Sequence, residues 1–235
     1  WWLWLFVGTI IWSGAYLIYY PGLGGFSGVG DWSQEKQYSD EVAAAEAQYG
    51  PMFAAFGAME ITELAKNADA LKIGASLYQN YCSQCHGSTA QGARGFPNLT
   101  DDEWLYGGDP AQIERSIVAG RTGVMPPLNA VFGSDEAIDE MVRYVQNMAD
   151  GMDTSSPAHT KYMQLCVACH GPDGKGMQAL GAPNLVDDVW LYGSSPTEIR
   201  KSIVEGRNGA MPANGVLIGN DRARILAAYV YSLSN

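Results

Sequence analysis

The pentapeptide Cys82-Ser83-Gln84-Cys85-His86 recurs in this chain as Cys166-Val167-Ala168-Cys169-His170. Two thiols three positions apart, followed directly by an imidazole, are the attachment signature of a c-type haem. Each thiol can add across one haem vinyl group, and the adjacent histidine can then reach the iron. All four cysteines of the chain lie in these two motifs. We therefore predict two covalently bound haem c groups, attached at Cys82, Cys85, Cys166 and Cys169.

Other readings of a C-x-x-C pair are a zinc half-site, a redox pair or a disulfide. A tetrahedral zinc site would require two such pairs around one metal and gives no reason for the following histidine. Here each copy continues with His and Gly, and later with Pro-Asn-Leu and with Gly-Arg-x-Gly-x-Met-Pro. This shared context favours haem, with His86 and His170 as iron ligands. Covalent haem also implies an oxidising location outside the cytosol.

The two halves of the chain form an internal repeat. Pro97-Asn98-Leu99 and Trp104-Leu105-Tyr106-Gly107 recur 86 residues later, whereas the cysteines recur after 84 residues. The second copy therefore has two extra residues in its Gly-rich loop. We expect each copy to form several short helices around one haem.

The sixth iron ligand in each copy is predicted to be a methionine. Met125 and Met211 stand at matched positions, each directly before a proline. A thioether favours Fe(II), so His/Met ligation raises the reduction potential and leaves no open position for a substrate. The chain has nine methionines, and core packing is the alternative role for any one of them. Met177 is the one competing ligand.

The first 20 residues contain no charged side chain, and about 20 apolar residues suffice to span a bilayer. Tryptophans and tyrosines stand at the two ends of this segment, as in an interfacial aromatic belt. The alternative is a signal peptide, but the segment has no basic n-region. The chain begins with Trp rather than Met, so we expect further residues upstream.

Helix signals complete the predicted organisation. We expect a short helix over 34–49, a separate apolar segment over 51–59, and a helix capped by Asn67 or Asp69 that runs to Tyr81. Asp135 opens another helix, and 157–165 and 221–233 take the corresponding places in the second copy. The predicted fold is all-α: a transmembrane helix (1–20), a linker with a short helix (21–60), and two tandem class I cytochrome c domains (61–152 and 153–235).

The order of these motifs resembles the dihaem cytochrome c subunit (subunit III) of cbb3-type cytochrome c oxidases. The resemblance covers nearly the whole chain, and its most specific elements are Trp104-Leu105-Tyr106-Gly107 and Trp190-Leu191-Tyr192-Gly193. It implies a membrane-anchored carrier that relays electrons from a periplasmic donor to the oxygen-reducing subunit. Such a chain has no catalytic centre of its own.

The resemblance also implies surroundings for the haems and partners for the chain. The carbonyls of Pro97 and Pro183 would hold the Nδ1 protons of the two histidines, and Arg121 and Arg207 would be candidates to bind haem propionates. The implied partners are the catalytic and monohaem cytochrome subunits of the oxidase, membrane lipid and a soluble cytochrome c or similar donor. The implied location is the bacterial inner membrane, with the haem domains in the periplasm. We expect no nucleic acid among the partners.

Two other functions would share much of this pattern. A tethered carrier of the cytochrome c4 type would show the same repeat, and the cytochrome subunit of another membrane dehydrogenase would show similar haem motifs. A dihaem peroxidase would need one iron that opens to peroxide, whereas both copies offer a methionine. For His159, a solvated residue at a helix start is favoured over a ligand. For Trp104 and Trp190, a place at the haem edge and a place in the core fit equally well.

The charge pattern gives a prediction about the donor. The net charge is −11, and the excess of acids lies within 31–152. Such a surface would attract a cationic cytochrome. The densest group of acids is Asp135, Glu136, Asp139 and Glu140. We therefore expect the donor to bind near the first haem domain.

Overall fold

The computed structural model describes residues 1–22 and 24–234. The chain forms two compact units, divided between Ala55 and Phe56. Helix α1 (Trp2–Tyr19) lies in the first unit and is apolar and long enough to cross a membrane. None of its residues is buried within the protein. The apolar side chains of α1 are thus left for lipid or for a partner.

Helix α2 spans Gln34–Gly57 and contains Pro51. The prediction of a helix ending near residue 49, followed by a separate apolar segment, was therefore wrong. A proline removes one hydrogen bond from a helix, but its fixed φ angle is close to the helical value. The helix formed by the Ala-rich sequence before Pro51 therefore continues through the proline.

The second unit contains the remaining elements, which are mostly short helices. In chain order these are α3 (Ile61–Leu64), α4 (Ala68–Tyr81), α5 (Ser83–His86), α6 (Pro110–Ala119), β1 (Arg121–Met125), α7 (Asn129–Phe132), α8 (Asp135–Gln146), a 3-10 turn (Met148–Asp150), α9 (Pro157–Leu165), α10 (Val167–His170), α11 (Pro196–Glu205), β2 (Arg207–Met211), α12 (Gly215–Ile218) and α13 (Asn220–Tyr231). The all-α prediction is confirmed. The short antiparallel ribbon of β1 and β2 was not predicted.

Side-chain caps fix the helix starts that the sequence indicated. The Asn67 side chain accepts hydrogen bonds from the backbone of Asp69 and Ala70, which makes Asn67 the cap of α4. Ser134 caps α8, one residue before the predicted start. Ser156 and the following proline begin α9. These caps satisfy backbone N–H groups that the first turn of a helix leaves without partners.

The long helices are exchanged between the two repeats. α13, from the second repeat, packs against α4 and α6 of the first, and α8, from the first repeat, packs against α9 and α11 of the second. Two ring pairs show the symmetry: Tyr78 lies 5.7 Å from Tyr229, and Tyr162 lies 5.8 Å from Tyr144. We expected each repeat to pack on itself. The two helices match at Tyr144 and Tyr229, but α13 buries Ile225 and Ala228 where α8 has Glu140 and Arg143.

The ribbon is the point at which the chain crosses from one packing group to the other. β1 and β2 pair with Arg121 opposite Met211 and Met125 opposite Arg207. After the ribbon, Leu128 N donates to Ile203 O, and Asn214 N donates to Ile117 O, both at 2.9 Å. Residues 61–152 and 153–235 therefore describe the sequence repeat but not the units of packing. We call α3, α4, α6 and α13 the first packing group, and α8, α9 and α11 the second.

Candidate haem sites

Each C-x-x-C-H motif lies on a short helix at the end of a longer one. Cys82 ends α4 and begins α5, and its carbonyl accepts hydrogen bonds from Cys85 N and His86 N at 3.1 and 2.9 Å. Cys166 makes the same bonds to Cys169 and His170, at 3.1 and 2.9 Å. All four thiols are free. The tight turn places both sulfurs and the imidazole of one motif within a single helical turn.

A buried tyrosine holds each motif against the helix that carries it. Tyr78 Oη donates to Gly87 O, and Tyr162 Oη donates to Gly171 O, both at 2.7 Å. Both tyrosines are fully buried. Burial, together with the nearby Cys82 and Tyr229, raises the pKa of Tyr78 to about 12. The hydroxyls therefore remain protonated donors, and each carbonyl after the histidine is satisfied.

Both histidines are oriented by a prolyl carbonyl. His86 Nδ1 lies 2.9 Å from Pro97 O, and His170 Nδ1 lies 3.0 Å from Pro183 O. Since a carbonyl only accepts, Nδ1 carries the proton and Nε2 is left with its lone pair. Burial lowers the pKa of His170, although its bond to Pro183 acts in the opposite direction. These are the contacts that the family resemblance implied, and a neutral imidazole with a free Nε2 is what an iron ligand requires.

Glycines allow the prolyl loops to approach the histidines. Gly92 has φ +71° and Gly176 has φ +78°. A Cβ at Gly92 would lie 2.7 Å from the carbonyl oxygen of Pro97, and one at Gly176 would lie 2.7 Å from that of Pro183. The same two residues donate backbone hydrogen bonds to His86 O and His170 O, at 2.8 and 2.9 Å. Only a residue without a side chain fits there.

The two thiols of a motif differ in exposure. Cys82 and Cys166 are half-buried, whereas Cys85 and Cys169 are exposed. Burial, with the second thiol of each motif, raises the pKa of both Cys82 and Cys166 to about 11. A thioether carries no charge, so each half-buried sulfur could remain in its place after attachment to haem. The exposed second sulfur would remain accessible for the other thioether bond.

Arg121 and Arg207 are held against the helices that precede them. Arg121 donates from Nε to Ser116 Oγ at 2.9 Å and from Nη2 to Gln112 Oε1 at 2.8 Å. Its guanidinium lies 4.7 Å from the ring centre of Tyr106. Arg207 repeats the arrangement with Ser202, Glu198 and Tyr192. These contacts hold each arginine at the start of its strand. Propionate binding by either arginine stays a prediction.

The two candidate methionines lie on the inner face of the ribbon. Met125 and Met211 are half-buried, and the residues before them, Val124 and Ala210, are exposed. Met177 is 39% exposed and sits in the Gly-rich loop, where its backbone pairs with Ala182. Met125 and Met211 thus lie on the two paired strands, whereas Met177 lies in a loop, and iron ligation by Met125 and Met211 stays a prediction.

Residues from both repeats line one shared cleft of about 450 Å³. Its walls include Pro97 and Trp104 from the first repeat and Pro183 and Trp190 from the second. Gly95 N donates to Leu191 O at 2.9 Å across this boundary. The two prolyl loops, each next to a candidate haem site, thus face a common space. Both tryptophans are half-buried and line it, and Trp190 also packs against the buried cluster of α8, α9 and α11.

Carboxyl groups also line the cleft. Burial raises the pKa of Glu103, and Asp187 of the other repeat raises it further through its charge and a hydrogen bond. Burial likewise raises the pKa of Asp101. Sequence reasoning did not single out these residues, since the repeat pattern does not show that the two loops meet.

Comparison with known proteins assigns the chain to a family. The family model "Cytochrome C oxidase, cbb3-type, subunit III" matches residues 69–145 and 156–230. A second model, "N-terminal domain of cytochrome oxidase-cbb3, FixP", matches residues 1–27. The chain belongs to the cbb3-type cytochrome c oxidase subunit III family.

Curated relatives agree with this assignment. The cbb3-type cytochrome c oxidase subunit CcoP of Rubrivivax gelatinosus is 42% identical over 236 residues, which cover 100% of this chain and 78% of the relative. Subunit FixP of Bradyrhizobium diazoefficiens is 35% identical, over 99% of this chain and 88% of the relative. Subunit FixP of Azorhizobium caulinodans is 32% identical, over 99% and 86%.

Membership decides among the functions that the sequence left open. This subunit III is an electron-transferring cytochrome c subunit of a cbb3-type oxidase, rather than a c4-type carrier or a subunit of another dehydrogenase. Both repeats match the same cytochrome family model, which implies c-type haem. The oxidase as a whole is an oxidoreductase.

Proposed function

We propose that this subunit III carries two haem c groups and relays electrons from a periplasmic donor to the oxygen-reducing subunit of the oxidase. One observation carries the proposal: both motifs combine free paired thiols with a histidine whose Nδ1 is bonded to a prolyl carbonyl. Haem iron, when bound, supplies a one-electron Fe(III)/Fe(II) couple.

The residues of each site fit a covalently held haem. Cys82 and Cys85 in one motif, and Cys166 and Cys169 in the other, would form the thioether bonds. His86 and His170 would each offer Nε2 to an iron, and Met125 and Met211 would supply the thioether ligands. Two protein ligands leave no position for a substrate, so the subunit would transfer electrons without a catalytic centre of its own.

The shared cleft supports electron transfer between the two haems within the subunit. Residues of both prolyl loops line it, and Gly95 N donates to Leu191 O at 2.9 Å between the two repeats. Trp104 and Trp190, one from each repeat, also line it. A haem held beside each loop would border this common cleft.

Helix α1 would anchor the subunit in the bacterial inner membrane, with both haem domains in the periplasm where covalent haem is attached. Its apolar surface would contact lipid and the membrane part of the oxidase. The partners would be the catalytic and monohaem cytochrome subunits, together with a soluble, cationic cytochrome c as donor. Removal of residues 1–30 should leave two bound haems in a water-soluble chain that no longer reduces the oxidase. Full coupling by the shortened chain would show that α1 has no docking role.

Haem content and ligation are tested by spectroscopy of the purified subunit. The pyridine haemochrome spectrum should give two haem c per chain, and one after the paired change Cys82→Ala and Cys85→Ala. Met125→Leu and Met211→Leu should each open one iron, so that the reduced protein binds one carbon monoxide. The unchanged protein should bind none. Carbon monoxide binding by the unchanged protein, or one haem per chain, would contradict the proposal.

A further inference from the structure

Helix α2 carries a line of apolar side chains that remains exposed. The line consists of Tyr38, Val42, Ala45, Tyr49 and Met52, which we call the α2 stripe. All five residues are exposed, and the two tyrosines are 69% and 47% accessible. No residue of α2 is buried within the part of the chain that the structure describes. The stripe is therefore available to a partner.

The α2 stripe has the spacing of a coiled-coil seam. Its members follow one another at intervals of 4, 3, 4 and 3 residues, which are the a and d positions of a seven-residue repeat. At about 3.6 residues per turn, this spacing keeps all five side chains within about 80° of the helix circumference. The stripe extends for about 21 Å along the helix axis. A surface this narrow and straight matches one helix packed alongside α2.

Acidic side chains border the α2 stripe on both sides. From their places in the helical repeat, Glu41 lies along one edge, and Glu35 and Glu46 lie along the other. The one basic residue of α2 is Lys36, on the opposite face, where it pairs with Asp31 at 2.7 Å. The border of the stripe thus has three negative charges and no positive one.

This border does not suit a membrane surface. Amphipathic helices that lie on a bilayer carry Lys and Arg beside their apolar face, because these residues are attracted to anionic lipids. The border of the α2 stripe has the opposite sign, so anionic headgroups would repel it. The charge pattern therefore favours a protein partner over lipid.

A second copy of this chain is also a poor partner. In a parallel pair of α2 helices, Glu41 at position g of one copy would face Glu46 at position e of the other. Like charges at these positions repel and oppose the pairing. Residues 56–235 of the same chain are acidic as well, with 20 acidic against 13 basic residues. The matching surface is therefore a cationic one on a different protein.

We propose that α2 docks an amphipathic helix of another oxidase subunit, with an apolar seam at the same seven-residue spacing and with Lys or Arg along its borders. The inference rests on the proposed function in that the subunits of the oxidase supply the partner. Tyr38, Val42, Ala45, Tyr49 and Met52 pack into the joint seam. Glu35, Glu41 and Glu46 form ion pairs across it. α2 thus adds a contact outside the membrane to the one that α1 makes within it.

Site-specific photocrosslinking in the assembled oxidase tests this docking. The photoreactive residue p-benzoylphenylalanine replaces Tyr49 on the α2 stripe or, as the control, Ala47 on the opposite face of the same helix. After irradiation, mass spectrometry identifies the attached peptide. The probe at Tyr49 should join this chain to a Lys- or Arg-bordered helix of another oxidase subunit, with a yield about tenfold above that at Ala47. Equal yields from the two probes would overturn the proposal, as would attachment to lipid, to a second copy or to the haem domains of this chain.

Paired substitutions separate the α2 stripe from the rest of the helix. Glu41→Lys with Val42→Lys places two positive charges on the stripe and its border. Asp40→Lys with Ala43→Lys makes the same change in charge on the opposite face and is the matched control. The first pair should lower the yield from the probe at Tyr49 about tenfold, because like charges would then meet across the seam. The control pair should leave the yield within about twofold. Equal losses in the two pairs would show that the stripe is not the docking surface.

Haem content, measured in the same samples by the pyridine haemochrome spectrum, keeps this test apart from that of the proposed function. Two haems in every variant would show that a lost crosslink comes from docking rather than from misfolded haem domains. One haem in the unchanged chain would contradict the proposed function, whatever the crosslinks show. Two haems with no preference for Tyr49 over Ala47 would overturn the docking alone.

Discussion

Tyr144 Oη and His159 Nδ1 share a hydrogen bond of 2.7 Å, which joins a helix of the first repeat to a helix of the second. The two rings lie 6.0 Å apart in an edge-on arrangement. His159 is half-buried, so the prediction of a solvated histidine at a helix start was wrong in this respect. Its nitrogen fixes α8 against α9.

Removal of this hydrogen bond should weaken the second packing group. Tyr144→Phe leaves a half-buried imidazole nitrogen without its partner, and we expect a loss of about 1 kcal/mol in the free energy of unfolding. Tyr229→Phe is the matched control, because Tyr229 occupies the same place on α13 but has Ala75 where Tyr144 has His159. Guanidinium unfolding of the solubilised subunit gives both values. Equal effects of the two changes would show that the bond contributes nothing.

Charge at Glu114 should affect the packing of α13. Glu114→Gln removes the attraction to Arg224 and should cost up to about 1 kcal/mol. Glu114→Arg places two guanidiniums together and should cost more than the neutral change. The control is Glu63→Arg, since the exposed Glu63 has the exposed Lys66, three residues along the chain, as its one ion-pair partner among the residues described. If Glu114→Arg unfolds at the same denaturant concentration as Glu114→Gln, like-charge repulsion does not set the pairing.

From the sequence we expected the donor to bind near the first haem domain. The acidic face of α8 should instead steer a cationic donor toward the second haem site, because α8 packs against α9. Asp135 and Asp139 are engaged by Arg200 at 2.6 Å, which leaves Glu136 and Glu140 as the acids of α8 without an ion pair among the residues described. The paired change Glu136→Lys and Glu140→Lys should slow reduction by a cationic cytochrome at low salt. It should also flatten the salt dependence of the rate, because screening then has less attraction to remove.

The control for this experiment is the paired change Asp69→Lys and Asp221→Lys. Both acids are exposed at the second position of their helices, α4 and α13, in the first packing group. Stopped-flow reduction over a range of ionic strength compares the variants. A slower rate in the control pair alone would place electron entry at the haem of His86.

The carboxyls in the shared cleft should make stability depend on pH. The pKa of Glu103 is raised above its ordinary value of 4.5, so the folded protein holds this proton more tightly than the unfolded chain does. The resulting stabilisation is fully present below the ordinary pKa and is lost as pH rises through the raised one. Glu103→Gln should therefore raise the melting temperature at neutral pH and flatten its decline between about pH 4 and 7. Asp102→Asn, at an exposed neighbour, is the control. An unchanged pH profile in Glu103→Gln would show that the cleft does not raise the pKa of this carboxyl group.

The sequence by itself determined the chemistry of the sites and most of the local structure. The C-x-x-C-H motifs, the capping residue Asn67 and the helical spacing in α8 are short-range signals, and each acts within a few residues of its position. The continuation of α2 through Pro51 and the strands β1 and β2 were missed because they depend on weak local preferences. Membership of the family followed from the motifs and their order.

Only the tertiary structure decided which helices of one repeat pack against those of the other. Tyr144 of α8 and Tyr229 of α13 stand at matching positions, and Met125 and Met211 stand in matching motifs, so the repeat alone does not show that the helices are exchanged. The choice depends on contacts between residues far apart in the chain, such as Glu114 with Arg224 and Arg200 with Asp139. Each ion pair acts only once the two helices meet, because Coulomb attraction in water is weak beyond a few ångströms. The repeated sequence alone therefore does not show which helices of the two repeats pack together.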